Sequence, residues 1–400
     1  MSTTSPLTSR ERVRAAMAHE IPDRVPVMCQ LALGHYFLFS GFDPVDIWFD
    51  SETLARAMET LRARYRFDGV LINLPGRPAN WRDYLAADEI TDSGRRLTWK
   101  SGLQTRIPPD DNPQTWAAGG GSLPRADYAS VDVDDPATFR HAGYVWNTWH
   151  APGLWDIPQD ADLADPAAYP EWFTASLRAA RGACPDASVH VEVFSPFTHL
   201  LELFGYQNAL MALIEAPDTC HRLLGRFTAM VEAQVDCLAP HEPDAILVSS
   251  AFAGAGFISR NMYRQFVLPY EQRIAAAVHK CGLPAYVHTC GAIGDRLDLM
   301  SESGIDGIDT LDPPPLGTVE LAEAKSRFGD RFFLKGNLDA VNEMLHADDA
   351  AFDRAVLDRL RTGMPGSGYI LSSACSVAPH VRPERLKRMV ALADARGRYR

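Results

Sequence analysis

The sequence predicts one closed (β/α)8 barrel with a loop-rich insertion near its N-terminal third. From Ser188 onward, short apolar runs alternate with long helical patterns, the mark of parallel strands joined by crossover helices. Two more strand-like runs, at Val25 and Val70, bring the total to about eight, the number that closes a barrel. The alternative is an open doubly wound sheet, but no GxGxxG opens any of the helices.

Each element has its own signal. Thr8 and Glu11 stand at capping-box spacing, and Val13, Ala16 and Met17 follow at helical period. This predicts a first helix that Pro22 ends. Residues 25–29 read as a short strand, which Pro26 places near an edge or a strand start. Residues 54–65 read as an amphipathic helix and 68–73 as a buried strand. The later strand runs are 189–193, 245–248, 285–287, 305–308, 332–334 and 369–371. The helical patterns between them are 217–238, 260–280, 293–301, 319–328, 351–362 and 383–395.

Residues 75–169 differ. They are rich in Pro, Gly, Asp and Trp, and 90–99 look like a hairpin that turns at 92–95. The stretch is expected to be a lid or cleft wall within one domain spanning 1–400. Its tryptophans (Trp81, Trp99, Trp116, Trp146, Trp149 and Trp155) argue against disorder and suggest an apolar or aromatic substrate.

Composition narrows the function. At 46% hydrophobic and 22% charged residues, the chain has ample material for a core. A formal net charge of −12 makes it a poor candidate for non-specific nucleic-acid binding, which needs a basic face. No run approaches the roughly 18–20 apolar residues of a membrane span, and the first ten residues lack a signal-peptide core. The expected compartment is the cytoplasm. The seven cysteines include no CxxC pair, so free thiols are expected. Cys29, Cys184, Cys220, Cys237 and Cys281 read as packing residues.

The remaining two cysteines stand in a pattern. His288 and Cys290 close one apolar run, Gly291 allows a sharp turn after them, and Cys375 ends another run. In a barrel all three lie at the C-terminal ends of strands, where active sites are assembled. Residues two apart on an extended segment point the same way. One imidazole and two thiolates form a zinc ligand set with a fourth position left for water or substrate. The other reading is three independent polar and packing residues.

The chain also resembles the uroporphyrinogen decarboxylase superfamily. The resemblance rests on Arg10 to Ala16 with Pro22 to Val27, on Ser195-Pro196-Phe197-Thr198 with Glu215-Ala216-Pro217, and on Ile258-Ser259 with Phe266 to Tyr270. Val287-His288-Thr289-Cys290-Gly291 and Lys335-Gly336-Asn337-Leu338-Asp339 match as well. It covers most of the chain except 75–169. One branch of that superfamily decarboxylates uroporphyrinogen without a cofactor. Its arginine-rich RQAGRY segment should follow the first strand, where this chain reads Cys29 to Tyr36. Its Gly-His-Gly segment should stand where this chain reads Ser373-Ala374-Cys375-Ser376. The other branch comprises zinc-dependent methyltransferases that act with corrinoids, and its His-x-Cys with a distant Cys matches His288, Cys290 and Cys375. The resemblance therefore implies zinc, a small-molecule substrate and a corrinoid on a separate protein or a different methyl donor. The Asp-x-His-x-x-Gly pattern of cobalamin-binding domains is missing. The oligomeric state is open, a homodimer included.

Further site candidates follow. Asp309 or Asp312, with Asp312 favoured, could be a fourth ligand or take a thiol proton, or merely cap a loop. Asn337 is a candidate for catalysis and substrate binding; the alternative is a turn residue. His35 and Tyr36 are expected to line the cleft. Glu192 reads as a buried strand carboxylate, functional or paired. Three hypotheses stand: a zinc methyltransferase, a decarboxylase or lyase on a tetrapyrrole or related polyacid, and a non-catalytic corrinoid- or tetrapyrrole-binding barrel with structural zinc. A structural zinc would normally have four protein ligands, and only three strong candidates are visible.

Overall fold

A computed structural model describes residues 7–140, 157, 158 and 160–399. Its strands, in chain order, are β1 (Gly69–Ile72), β2 (Leu85–Thr91), β3 (Gly94–Trp99), β4 (Gln104–Ile107), β5 (Gln114–Trp116), β6 (Ser188–Phe194), β7 (Ala245–Ser249), β8 (Ala285–His288), β9 (Gly307–Asp309), β10 (Phe333–Leu338) and β11 (Tyr369–Ser373). β1 and β6 to β11 form one seven-stranded parallel sheet in that order. Helices such as Pro217–Leu238, Leu268–Lys280, Leu321–Phe328 and Asp349–Gly363 connect its strands.

The sheet curls until its edges meet across the segment around Val27. Met28 N donates to Leu371 O, Leu371 N donates to Pro26 O, and Asp68 N, just before β1, donates to Val27 O. Val27 and Leu31 make isolated parallel bridges to Leu371 and Val377. The expected strand at 25–29 is therefore a bridged segment rather than a regular strand. Pro26 has no N–H to give, so the ladder stays incomplete.

The first helix, Ser9–Met17, starts with the predicted capping box: Thr8 Oγ1 accepts from Glu11 N, and Glu11 accepts from Thr8 N. Val13, Ala16 and Met17 pack with Met28, Leu71, Ala245, Leu247, Tyr286, Phe333 and Ile370. Apart from Met28 of the bridged segment, these residues stand on barrel strands, so the helix plugs the N-terminal end. Gly307 belongs to the same layer, where a Cβ would lie 2.4 Å from the Phe333 ring.

Two helices differ from expectation. The pattern at 260–280 is split into Arg260–Phe266 and Leu268–Lys280. Pro269 cannot donate to the preceding turn and its ring crowds the carbonyl there. The pattern at 293–301 shrinks to Leu297–Met300.

Strands β2 to β5 form a separate antiparallel sheet, whose first turn lies within the predicted 90–99 hairpin. Trp81 and Trp99 pack into the main core, Trp81 stacked on Phe49 at 4.6 Å and Trp99 edge-on to Phe49 at 5.3 Å. They are buried packing residues among the described elements, a role the sequence reading did not foresee for these two. Trp116 is half-buried on β5. Trp146, Trp149 and Trp155 lie outside the described residues.

Candidate metal centre

The period-two alternation of the strands builds the site. Tyr286 on β8, Gly307 on β9 and Phe333 on β10 belong to the apolar interior layer. The residues two further on, His288, Asp309 and Lys335, form a polar layer above it, at the C-terminal end of the barrel. Tyr286 OH lies 2.8 Å from His190 Nδ1 on β6, and Glu192 stands two residues beyond His190. Apolar side chains fill the lower end, and the polar layer stands at the upper one.

His288, Cys290 and Cys375 meet there, with donor atoms within 4.8 Å of one another. His288 Nε2 lies 3.2 Å from Cys290 Sγ, and the two sulfurs are 3.9 Å apart as free thiols. Gly291, at φ +77°, turns the chain after Cys290. The Cys290 thiol and the His288 ring favour a thiolate at Cys375, well below the usual thiol range. Burial opposes charge on His288, but Asp309 and Cys375 outweigh it and push the ring up to about 10.

A buried network lies behind the histidine. Thr310 Oγ1 is 2.8 Å from His288 Nδ1, while Asp309 Oδ2 is 3.4 Å away. Lys335 Nζ donates to Asp309 Oδ1 at 2.9 Å. Burial pushes the Asp309 carboxyl up, but the Lys335 ammonium and His288 prevail and hold it near 2. Thr310 and Lys335 escaped the sequence reading. Lys335 could have been found as a lysine inside an apolar strand run; Thr310 carries no such signal.

The other candidates divide. Asp312 is buried and accepts from Gly291 N at 2.6 Å; burial raises its carboxyl to about 6. Glu192 Oε2 is buried without a hydrogen-bond partner, and burial raises the carboxyl to about 7 within electrostatic reach of His288 and Cys375. Neither Asp309 nor Asp312 joins the three-donor cluster among the described residues. Asn337 does not offer its amide to a substrate: Nδ2 donates to Leu311 O and Val319 O, and Oδ1 accepts from Arg359 Nε. It braces the loop after β9 against helix Asp349–Gly363. His35 is fully buried, with Nδ1 3.0 Å from Pro379 O and Nε2 2.8 Å from Tyr65 OH. Tyr36 is packed in the core beside it. Among the described residues both are buried rather than exposed to a cleft, because the sequence after the bridged segment continues into the buried helix Leu33–Phe39.

The model of the uroporphyrinogen decarboxylase (URO-D) family matches residues 156–396. The chain belongs to the URO-D family. A uroporphyrinogen decarboxylase from Thioalkalivibrio sulfidiphilus is 30% identical over 182 residues, 44% of this chain and 49% of that protein. One from Coxiella burnetii is 28% identical over 189 residues, 46% of this chain and 50% of that protein. This URO-D family chain thus spans about half the length of the curated relatives it matches. Among solved structures, a methyltransferase from Methanosarcina mazei shares the fold, with a TM-score of 0.68 over 97% of this chain and 99% of that chain at 17% identity. Among the described residues, no helix is long and apolar enough to cross a membrane.

Proposed function

We propose that this URO-D family chain is a zinc-dependent methyltransferase that moves a methyl group to or from a thiol or corrinoid. The observation that carries the reading is the convergence of His288 Nε2, Cys290 Sγ and Cys375 Sγ from two distant strand ends. One nitrogen and two soft sulfurs suit zinc and suit magnesium or calcium poorly. The donor set fits: the sulfurs are unbridged, and Nδ1 of the histidine is engaged from behind, which leaves Nε2 for a metal. Three protein ligands are the number found in catalytic zinc sites.

Zinc bound there would stabilise an anionic sulfur or polarise a donor atom near neutral pH. The chain's own residues do the rest. His288, Cys290 and Cys375 would hold the ion. Asp312 fixes the turn at Gly291. The carboxyls of Asp312 and Glu192, raised toward neutrality by burial, can hold a proton released from an incoming thiol. The donor is a corrinoid on a separate protein, or a methyl ether or halomethane.

The decarboxylase reading has the names of the sequence relatives in its favour. Against it stands the segment after the bridged stretch, which buries His35 and Tyr36 and supplies no arginine. An assay with methylcobalamin and a simple thiol, run beside uroporphyrinogen as substrate, separates the two. With a corrinoid donor, the methyltransferase reading requires methylcobalamin to be demethylated and the thiol methylated. Coproporphyrinogen formation without methyl transfer would overturn it.

A further inference from the structure

Thr310 is a β-branched residue at φ +86°, followed by Leu311 at φ +55°. L-residues, and β-branched ones above all, disfavour this left-handed region; glycine or asparagine would occupy it more readily. The backbone therefore does not explain a threonine here. Its side chain does. Thr310 is fully buried directly after β9, and its hydroxyl oxygen is 2.8 Å from His288 Nδ1. The other acceptor near that nitrogen is Asp309, and its Oδ2 stands 3.4 Å away, past the usual range for an N–H···O bond. Asp309 Oδ1 is already occupied, accepting from Lys335 Nζ and from Thr310 N, each at 2.9 Å. The Asp309–Lys335 pair anchors the turn, and the turn presents the hydroxyl.

We propose that Thr310 is a positioning residue. Its strained backbone places the hydroxyl to accept from Nδ1–H of His288, and so fixes the tautomer and ring angle that aim Nε2 at the two sulfurs. The strain is tolerated because the fold needs a hydroxyl at that point, not merely a turn. This inference rests on the metal reading above. It goes beyond that reading in assigning the orientation of the histidine to a hydroxyl rather than to the adjacent carboxylate.

The test uses the full chain, stripped of metal and titrated with cobalt(II) and zinc, with the visible absorption of the cobalt form as readout. Thr310→Val keeps the volume and branching but loses the hydroxyl. Thr310→Gly loses the hydroxyl and frees the backbone, so it keeps the test open if Val impairs folding. Thr310→Ser keeps the hydroxyl. The expected result is about tenfold to a hundredfold weaker metal binding in Thr310→Val and Thr310→Gly, with an altered cobalt d–d spectrum and wild-type affinity in Thr310→Ser. A packing role would reverse the order: Val tolerated, Ser weakened. Wild-type affinity in Thr310→Val or Thr310→Gly would overturn the assignment, as would a loss in Thr310→Ser equal to that in Val. If the wild-type chain takes up neither ion, the metal reading itself falls, and this inference falls with it.

Discussion

Single residues carry the sharpest consequences. Lys335 is nearly fully buried, and its ammonium is the cation paired with Asp309. Lys335→Met would remove the closest cation from that buried carboxylate, so a loss of about 3–5 kcal/mol of folding free energy is expected in denaturant titration. An unchanged midpoint would show that the pair is dispensable. Glu202 offers a pH test away from the metal centre. Burial on helix Pro196–Phe204 pushes its carboxyl from an ordinary 4.5 up to about 8, against the pull of Arg125 and Tyr206. A raised folded pKa means the unfolded chain gives up this proton first, so stability is full below about 4.5 and declines as pH rises toward 8. The expected contribution is on the order of 5 kcal/mol over the full window. Glu202→Gln should lose that part of the decline between pH 5 and 8.5 while matching wild type near pH 4. An identical pH slope in both proteins would contradict it. At this scale the sequence was uneven. His288, Cys290 and Cys375 were legible because strand ends and period-two spacing dictate where they point. His35, Tyr36 and Asn337 were not. A position after a strand does not say whether the chain turns inward to packing or outward to a cleft, and here Tyr65 and Pro379 claim the ring nitrogens of His35 and Arg359 the amide oxygen of Asn337.

At the scale of elements, most helices and strands could be read because apolar periodicity reports burial directly. The failures have local causes. Pro26 removes a donor and reduces a strand to bridges, and Pro269 splits a helix whose apolar pattern runs through the break. Gly307 shows a constraint invisible in sequence. Nothing in the run 305–308 announces that the ring of Phe333 fills the place of its side chain. Gly307→Ala should therefore destabilise the protein by about 1–3 kcal/mol through overpacking of the barrel interior, measured by denaturant or thermal unfolding. An Ala variant as stable as wild type would mean that the Phe333 ring can move aside freely.

For the whole molecule, strand–helix alternation foretold a barrel, and the parallel sheet closed through Val27 has that form. The antiparallel sheet of β2 to β5 was only partly legible. Its hairpin shows in the turn residues, but the burial of Trp81 and Trp99 depends on Phe49, far away in sequence. The barrel explains why the candidate site lies at one end: the helix Ser9–Met17 and a layer of apolar side chains fill the other. The central claim is that this end holds zinc through His288, Cys290 and Cys375. X-ray absorption at the zinc edge of the purified chain tests it most directly. The account predicts close to one zinc per chain, with two sulfurs at about 2.3 Å and one histidine nitrogen at about 2.0–2.1 Å, and one sulfur fewer in Cys375→Ser. A chain without zinc, or the same two-sulfur shell in Cys375→Ser, would contradict it.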